Sequence, residues 1–377
     1  MKNIVSIWLS FIFLFVSNVS YGYSSLEKKW TEEKSLMLLN FMRKNSVSEK
    51  VPSISVEIFN ASDDVFSFTA GLQNVSEKKN LTTDSWMHLG SNTKAFTGLL
   101  AAKVVQRGLI NWDTKIIEVF PELKDKIHHN LLSVNLLSLL NHTSGMAPTT
   151  GFNWRKCTSK HNNKSGIKLR EDYVACIVVE KPEKVDKYLY SNSGYIVAAA
   201  MLERVTNLDW ESMLLRDICT PLGIDCLFGW PAQHSPDYTL GYEKSFFGNY
   251  TAQNVDDYAL PREFGPAGDV SLTVNDYKTF VQFFLRGIKG QEDFLNTEEF
   301  EFLLYSGLGK TLGVGWGSYV TDEGFTISKH TGSAGPFDVR VIIVKECQLA
   351  FTVMLNSDAG EVAKLIEEYI LELVVSE

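Results

Sequence analysis

The stretch Met87–Val105, MHLGSNTKAFTGLLAAKVV, decides how the rest of the chain is read. It opens on a Gly-Ser pair and places a lysine three residues after the serine. It then runs apolar through Ala95, Phe96, Leu99, Leu100, Val104 and Val105. Residues i and i+3 share a helix face, so Ser91 and Lys94 lie within reach of each other at the start of a buried helix. A helix N-terminus supplies N–H groups and positive potential that favour a developing anion. A lysine in a partly desolvated cleft has its neutral form favoured and can take a proton from a serine hydroxyl. The spacing S-x-x-K occurs four times, at Ser25/Lys28, Ser76/Lys79, Ser91/Lys94 and Ser165/Lys168, but only Ser91 opens a long apolar helix. The plain alternative at Ser91 is a serine N-cap followed by a surface lysine.

Two later motifs bear on that choice. Tyr190-Ser191-Asn192, within YLYSNSGY, is the chain's one Y-x-N. A tyrosine hydrogen-bonded to Lys94 can shuttle a proton between nucleophile and leaving group, and Asn192 can hydrogen-bond a substrate amide. Otherwise it is a loop tyrosine with an Asx turn. His330-Thr331-Gly332, within ISKHTGSAGPFD, falls at the end of a predicted strand, where a glycine lets a substrate approach the backbone closely. The N–H of Ser333 could then pair with that of Ser91 as an oxyanion hole. Otherwise it is a strand-ending turn.

In the order S-x-x-K, Y-x-N, [HK]-T-G, with gaps of 99 and 140 residues, the chain resembles the penicillin-recognising serine hydrolases with the serine β-lactamase fold, on the class C side. That group includes class C β-lactamases, D-alanyl-D-alanine carboxypeptidases, D-aminopeptidases and related esterases. Leu139–Met146 (LLNHTSGM), Gly265–Tyr277 (GPAGDVSLTVNDY) and Leu312–Ser318 (LGVGWGS) add to the likeness, which covers roughly residues 30 to 372. The resemblance implies an acyl-enzyme on Ser91, with Lys94 and Tyr190 sharing the general base and acid roles. It implies that Asn192 positions substrate and that His330 and Thr331 line the substrate-facing strand. It implies an oxyanion hole from the backbone N–H groups of Ser91 and Ser333. Class C β-lactamases usually carry lysine where this chain has His330, and a neutral imidazole removes a fixed charge that would attract a substrate carboxylate. Lys329 is a poor substitute, because on a strand it points to the other face. The preferred expectation is therefore a hydrolase of peptides or esters, D-alanyl-D-alanine carboxypeptidase-like or esterase-like. The alternatives are a class C-type β-lactamase and a non-catalytic binding protein on the same fold.

Outward from the motifs, Ser24 to Arg43 shows helical spacing. Ser53–Phe59 and Val65–Ala70 alternate as paired strands around a turn at 60–64. Thr273-Val-Asn-Asp276 reads as a capping box before a Phe-rich helix. Phe325–His330, Val339–Val344 and Leu349–Leu355 read as strands, and Val362–Val374 as an amphipathic helix. The expected class is α+β: an antiparallel sheet built from both chain ends, flanked by helices, with a largely helical insert. The expected division is a sheet lobe at about 23–105 and 310–377 and a helical lobe at about 106–309.

Composition supports a sizeable core, with 45% hydrophobic and 21% charged residues. The net charge is −9 and basic residues do not cluster, which argues against nucleic acid as a partner. No CxxC or HExxH occurs, so neither a metal nor a cofactor is expected. Residues 1–22 carry Lys2, the apolar run Ile4–Val16 and small residues at Ser20 and Gly22, the three parts of a secretory signal peptide. The expectation is an exported protein, periplasmic or secreted, with no stable membrane insertion after cleavage. Its partner is expected to be a small peptide, ester or β-lactam-like substrate. An oxidising compartment would permit Cys157–Cys176 and Cys219–Cys226 bridges and leave Cys347 over.

Overall fold

A computed structural model describes residues 30–146, 157–158, 164–257, 260–308 and 313–376. The signal-peptide expectation lies outside these residues. The strands, in chain order, are β1 (Ser53–Phe59), β2 (Asp64–Asn74), β3 (Lys79–Asn80), β4 (Trp86–His88), β5 (Leu227–Phe228), β6 (Tyr242–Lys244), β7 (Tyr250–Ala252), β8 (Val270–Thr273), β9 (Gly317–Val320), β10 (Thr326–Ser333), β11 (Asp338–Val344) and β12 (Leu349–Leu355). The helices used below are α1 (Glu32–Ser48), α2 (Thr93–Gln106), α3 (Gly166–Ile177), α4 (Asn192–Thr206), α5 (Trp210–Leu214), α6 (Val274–Ile288) and α7 (Gly360–Val375).

The main sheet is antiparallel, in the order β3-β2-β1-β12-β11-β10-β9, so both chain ends meet at its centre where β1 pairs with β12. Val56 faces Val353 in that register, and every residue of β1 and β12 is buried. Ile54, Val56 and Ile58 pack with Leu38 and Met42 of α1 and Ile366 and Ile370 of α7 on one face. The other face carries Phe59, Val341, Ile343 and Met354, which join α2 and α6 in the larger core. The fold is thus α+β, as the sequence implies. Helix α6 falls within the stretch read as the helical lobe, yet it packs on β1 and β12. Strands β4, β8 and β5 form a second, small sheet that the sequence reading lacks.

Local signals explain most element ends. The Thr31 hydroxyl accepts the Lys34 N–H at 3.2 Å, which fits a helix beginning at Glu32; residues 24–29 of the expected helix lie outside the described residues. The Thr273 hydroxyl accepts the Asp276 N–H at 3.0 Å and opens α6. Cys157 is bonded to Cys176 and Cys219 to Cys226, while Cys347 is buried with its Sγ 4.0 Å from Val374 O.

One polar residue in the sheet carries a measurable cost. Glu57, on β1, is buried, and its pKa is raised to about 7, chiefly by burial, with Ser67 and Lys278 opposing. A carboxyl with a pKa of about 7 folded and 4.5 unfolded binds its proton more tightly in the native state. Its effect is absent below pH 4.5, and stability falls as pH rises through 7. We expect Glu57→Gln to gain up to about 3 kcal/mol on the wild type between pH 4.5 and pH 8. Urea denaturation of both proteins across that range checks this, and parallel pH curves would refute it.

Candidate active site

The site begins at a single 3-10 turn, Gly90–Asn92, which leads directly into α2. Gly90 adopts φ 52°, and a Cβ there would lie 2.8 Å from the Ser333 nitrogen, so only glycine lets the end of β10 close against this turn. The buried Asn92 amide donates to Leu89 O at 3.1 Å and Val339 O at 2.9 Å, tying the turn to β11. From below, His88 Nδ1 accepts the Gly90 N–H at 3.1 Å, and His88 Nε2 lies 3.3 Å from Asp269 Oδ1. Helix α2 is buried on nearly every side, which is why its lysine ends up inside the protein.

Lys94 is fully buried. Its Nζ donates to Ala267 O at 2.6 Å and to Ser91 Oγ at 3.2 Å, and it lies 4.9 Å from the Tyr190 ring centroid and 5.4 Å from that of Tyr195. Burial pushes its pKa below the ordinary lysine value, with Tyr190 opposing. Ala267 belongs to the short helix Gly265–Gly268, held by Thr97 Oγ1 donating to Pro266 O at 2.7 Å. The Tyr190 hydroxyl donates to Ser91 Oγ at 3.0 Å. Ser91 Oγ therefore faces two proton-carrying groups from two different elements. The three residues read from the sequence as catalytic meet at one oxygen.

The other candidates separate. Ser91, Asn192 and Ser333 border a cavity of about 310 Å³, completed by Leu260, Pro261, Phe264, Ala267, Gly268, Ala334 and Gly335. None of these ten residues is charged. His330, Thr331 and Gly332 do not line it. His330 is buried, and its Nδ1–H donates to Thr331 O at 3.0 Å. Burial first, then Lys94, lowers its pKa to about 3, so the imidazole is neutral near pH 7. Thr331 is exposed on β10, just past Lys329, the last residue paired with β9. The expected reason for Gly332 needs correction. A Cβ there would strike Leu89 O at 1.9 Å and Asn92 Nδ2 at 2.7 Å, so glycine serves the packing of β10 on the serine turn rather than substrate approach. Lys329 does point away, pairing with Glu367 of α7 at 3.0 Å.

The rival S-x-x-K at Ser165/Lys168 is a helix cap, Ser165 Oγ accepting the Lys168 N–H at 3.3 Å. The apolar wall Leu260, Pro261 and Phe264 carries no motif and was not read from the sequence. His142, within LLNHTSGM, carries no local sign of a role, yet its ring stacks on Tyr190. Among the described residues no group of His, Cys, Asp and Glu has metal-site geometry, and no helix is long and apolar enough to cross a membrane.

Known proteins resemble this chain at low identity. Penicillin-binding protein 4* of Bacillus subtilis (strain 168) is 24% identical over 208 residues, 53% of this chain and 42% of that protein. Penicillin-binding protein 4 of Amycolatopsis lactamdurans is 24% identical over 236 residues, 62% of this chain and 60% of that protein. The chain thus matches less than two thirds of the length of these relatives. The solved structure of the octameric penicillin-binding protein homologue from Pyrococcus abyssi superposes with a TM-score of 0.72 at 22% identity, covering 90% of this chain and 77% of that one. The family model described as Beta-lactamase matches residues 39–375, from α1 through the last turn of α7, and the chain belongs to that family.

Proposed function

We propose that this protein is an exported serine hydrolase that forms an acyl-enzyme on Ser91 with a peptide or ester substrate. The observation that carries the reading is the pair of contacts at Ser91 Oγ, 3.2 Å from Lys94 Nζ and 3.0 Å from the Tyr190 hydroxyl. Ser91 Oγ attacks the substrate carbonyl while its proton passes to neutral Lys94, directly or through the Tyr190 hydroxyl, which gives its own proton to Lys94 as it takes the serine's. The carbonyl oxygen becomes an oxyanion facing the N–H groups of Ser91 and Ser333. Tyr190 returns a proton to the leaving amine or alcohol as the tetrahedral carbon collapses to the acyl-enzyme. Water then repeats the sequence, adding to the acyl carbon and releasing the acid and free Ser91.

The uncharged cavity lining favours a neutral acyl donor, an ester or an uncharged amide, over one anchored by a carboxylate. Acylation by a penicillin is the second reading, supported by the names of the relatives. Export is supported by the apolar run Ile4–Val16 and by the two disulfides.

The test is intact mass of the protein after p-nitrophenyl butyrate, a D-alanyl-D-alanine-terminated peptide or benzylpenicillin, with product release followed in parallel. An acyl adduct or turnover that needs Ser91 supports the reading; inertness toward all three refutes it. The pH profile offers a second check. Lys94 acts as base only when neutral, so the acylation rate rises with pH and levels off. Because burial lowers its pKa, we expect the midpoint of that rise below the ordinary value of 10.5. A midpoint at or above 10.5 would remove Lys94 from the role of base.

A further inference from the structure

The stretch Leu139–Met146 holds a residue that the mechanism leaves unused. His142 is buried, and its backbone sits in the left-handed region at φ 62°. Its carbonyl accepts the Leu189 N–H at 2.8 Å, and its Nδ1 accepts the Ser191 N–H at 3.0 Å. One residue therefore grips the chain on both sides of Tyr190. Its ring also lies against the Tyr190 ring, centroids 4.5 Å apart and planes 28° from parallel. Tyr195 and Tyr188 close around it at 5.3 Å and 6.1 Å. To accept from Ser191, Nδ1 must be unprotonated. Burial holds the ring neutral, and Lys94 of α2 pushes in the same direction.

We propose that His142 is a positioning residue: by accepting the Ser191 N–H, its Nδ1 holds the Tyr190 hydroxyl at hydrogen-bonding distance from Ser91 Oγ. This rests on Ser91, Lys94 and Tyr190 being the acyl-transfer site. His142 does not line the cavity, so it acts on the placement of the tyrosine and not on substrate affinity. It also explains a backbone conformation that is otherwise costly for a histidine. The left-handed turn at residue 142 aims the carbonyl at Leu189 and the ring at Ser191 together.

Two variants separate the acceptor from the backbone. Both His142→Asn and His142→Gly accommodate a positive φ. Asparagine Oδ1 takes the place of Nδ1 as an acceptor, and glycine offers none. Each is assayed with p-nitrophenyl acetate. Each is also labelled with tyrosine carrying 13C at Cζ, the Tyr190 resonance being assigned by its loss in Tyr190→Phe. We expect His142→Gly to lose about 30- to 100-fold in kcat with KM within about threefold, the scale of a catalytic group misplaced by an ångström. His142→Asn should stay within about fivefold of the wild type, since the Ser191 N–H keeps a partner. The Tyr190 resonance should move in the glycine variant and return in the asparagine variant. Equal losses in the two variants would overturn the acceptor role, as would an unmoved Tyr190 resonance in His142→Gly. If the wild type and Ser91→Ala are equally inert, the hydrolase reading fails, and the Tyr190 resonance alone still decides what His142 does.

Discussion

Ser91→Ala is expected to lower kcat/KM by about 10⁴- to 10⁶-fold for any ester or amide the wild type consumes, and to abolish the covalent adduct. The size follows from the geometry. Lys94 and Tyr190 both converge on Ser91 Oγ as its proton partners, and neither is placed to replace it as the attacking atom. Removing that oxygen leaves binding and the polarising backbone but no bond-forming atom. The fold should survive, because Lys94 keeps its bond to Ala267 O at 2.6 Å and the turn keeps its ties through Asn92 and His88. A folded Ser91→Ala protein that still forms the adduct would place the nucleophile elsewhere. Side-by-side mass spectrometry and initial rates make the comparison.

Arg170→Met is expected to destabilise the protein by about 3–5 kcal/mol, the scale seen when one partner of a buried ion pair is removed. Arg170, on α3, is fully buried and donates to Glu203 of α4 at 2.6 Å and to Glu211 of α5 at 2.6 Å. Glu203 is also buried and accepts the Trp210 N–H at 2.8 Å, and burial raises its pKa even with Arg170 beside it. Without the guanidinium, two carboxylates are left close together with no cation between them. The loss should therefore shrink as pH falls and the carboxylates take up protons. Replacing Arg170, Glu203 and Glu211 together by apolar residues of similar volume should recover most of the loss. Arg170 also donates to Arg262 O at 3.3 Å, beside the cavity wall at Pro261 and Phe264, so weaker substrate binding should accompany the destabilisation. Urea denaturation at several pH values measures the effect. A loss below about 1 kcal/mol would show that the triad is not the clamp its geometry suggests.

What could be read in advance depended on the range of each interaction. Strand β1 announces itself by the alternation of Ile54, Val56 and Ile58, β11 and β12 by short runs rich in β-branched and apolar residues, and the closing helix α7 by its spacing. Strand β4 is three residues long and pairs with β8 nearly 190 residues later, and no local pattern encodes that. Ser91 and Lys94 sit one turn apart, so their meeting follows from helix geometry alone. Tyr190 joins them only because α4 and α2 pack, which a shared motif order hints at but spacing does not. His330 and Gly332 show the opposite limit. The motif was legible, yet burial made the histidine a neutral neighbour of Lys94, and packing made the glycine a hinge point for the serine turn. His142 lay in a quoted stretch, but nothing local reveals that its nitrogen meets a backbone amide 49 residues away.

The pairing of β1 with β12 also has a consequence for the chain as it is made. Strand β1 leaves the ribosome together with β2, and its partner on the other side, β12, emerges about 300 residues later. At about 5–20 residues per second, the β1–β2 hairpin waits roughly 15–60 s with one edge open and Ile54, Val56 and Ile58 covered only in part, by Leu38 and Met42 of α1. Neither α7, which covers the rest of that face, nor β12, which closes that edge, has been made during that wait. A fragment ending before Leu349 has no route to a closed sheet, because it lacks the strand that pairs with the open edge of β1.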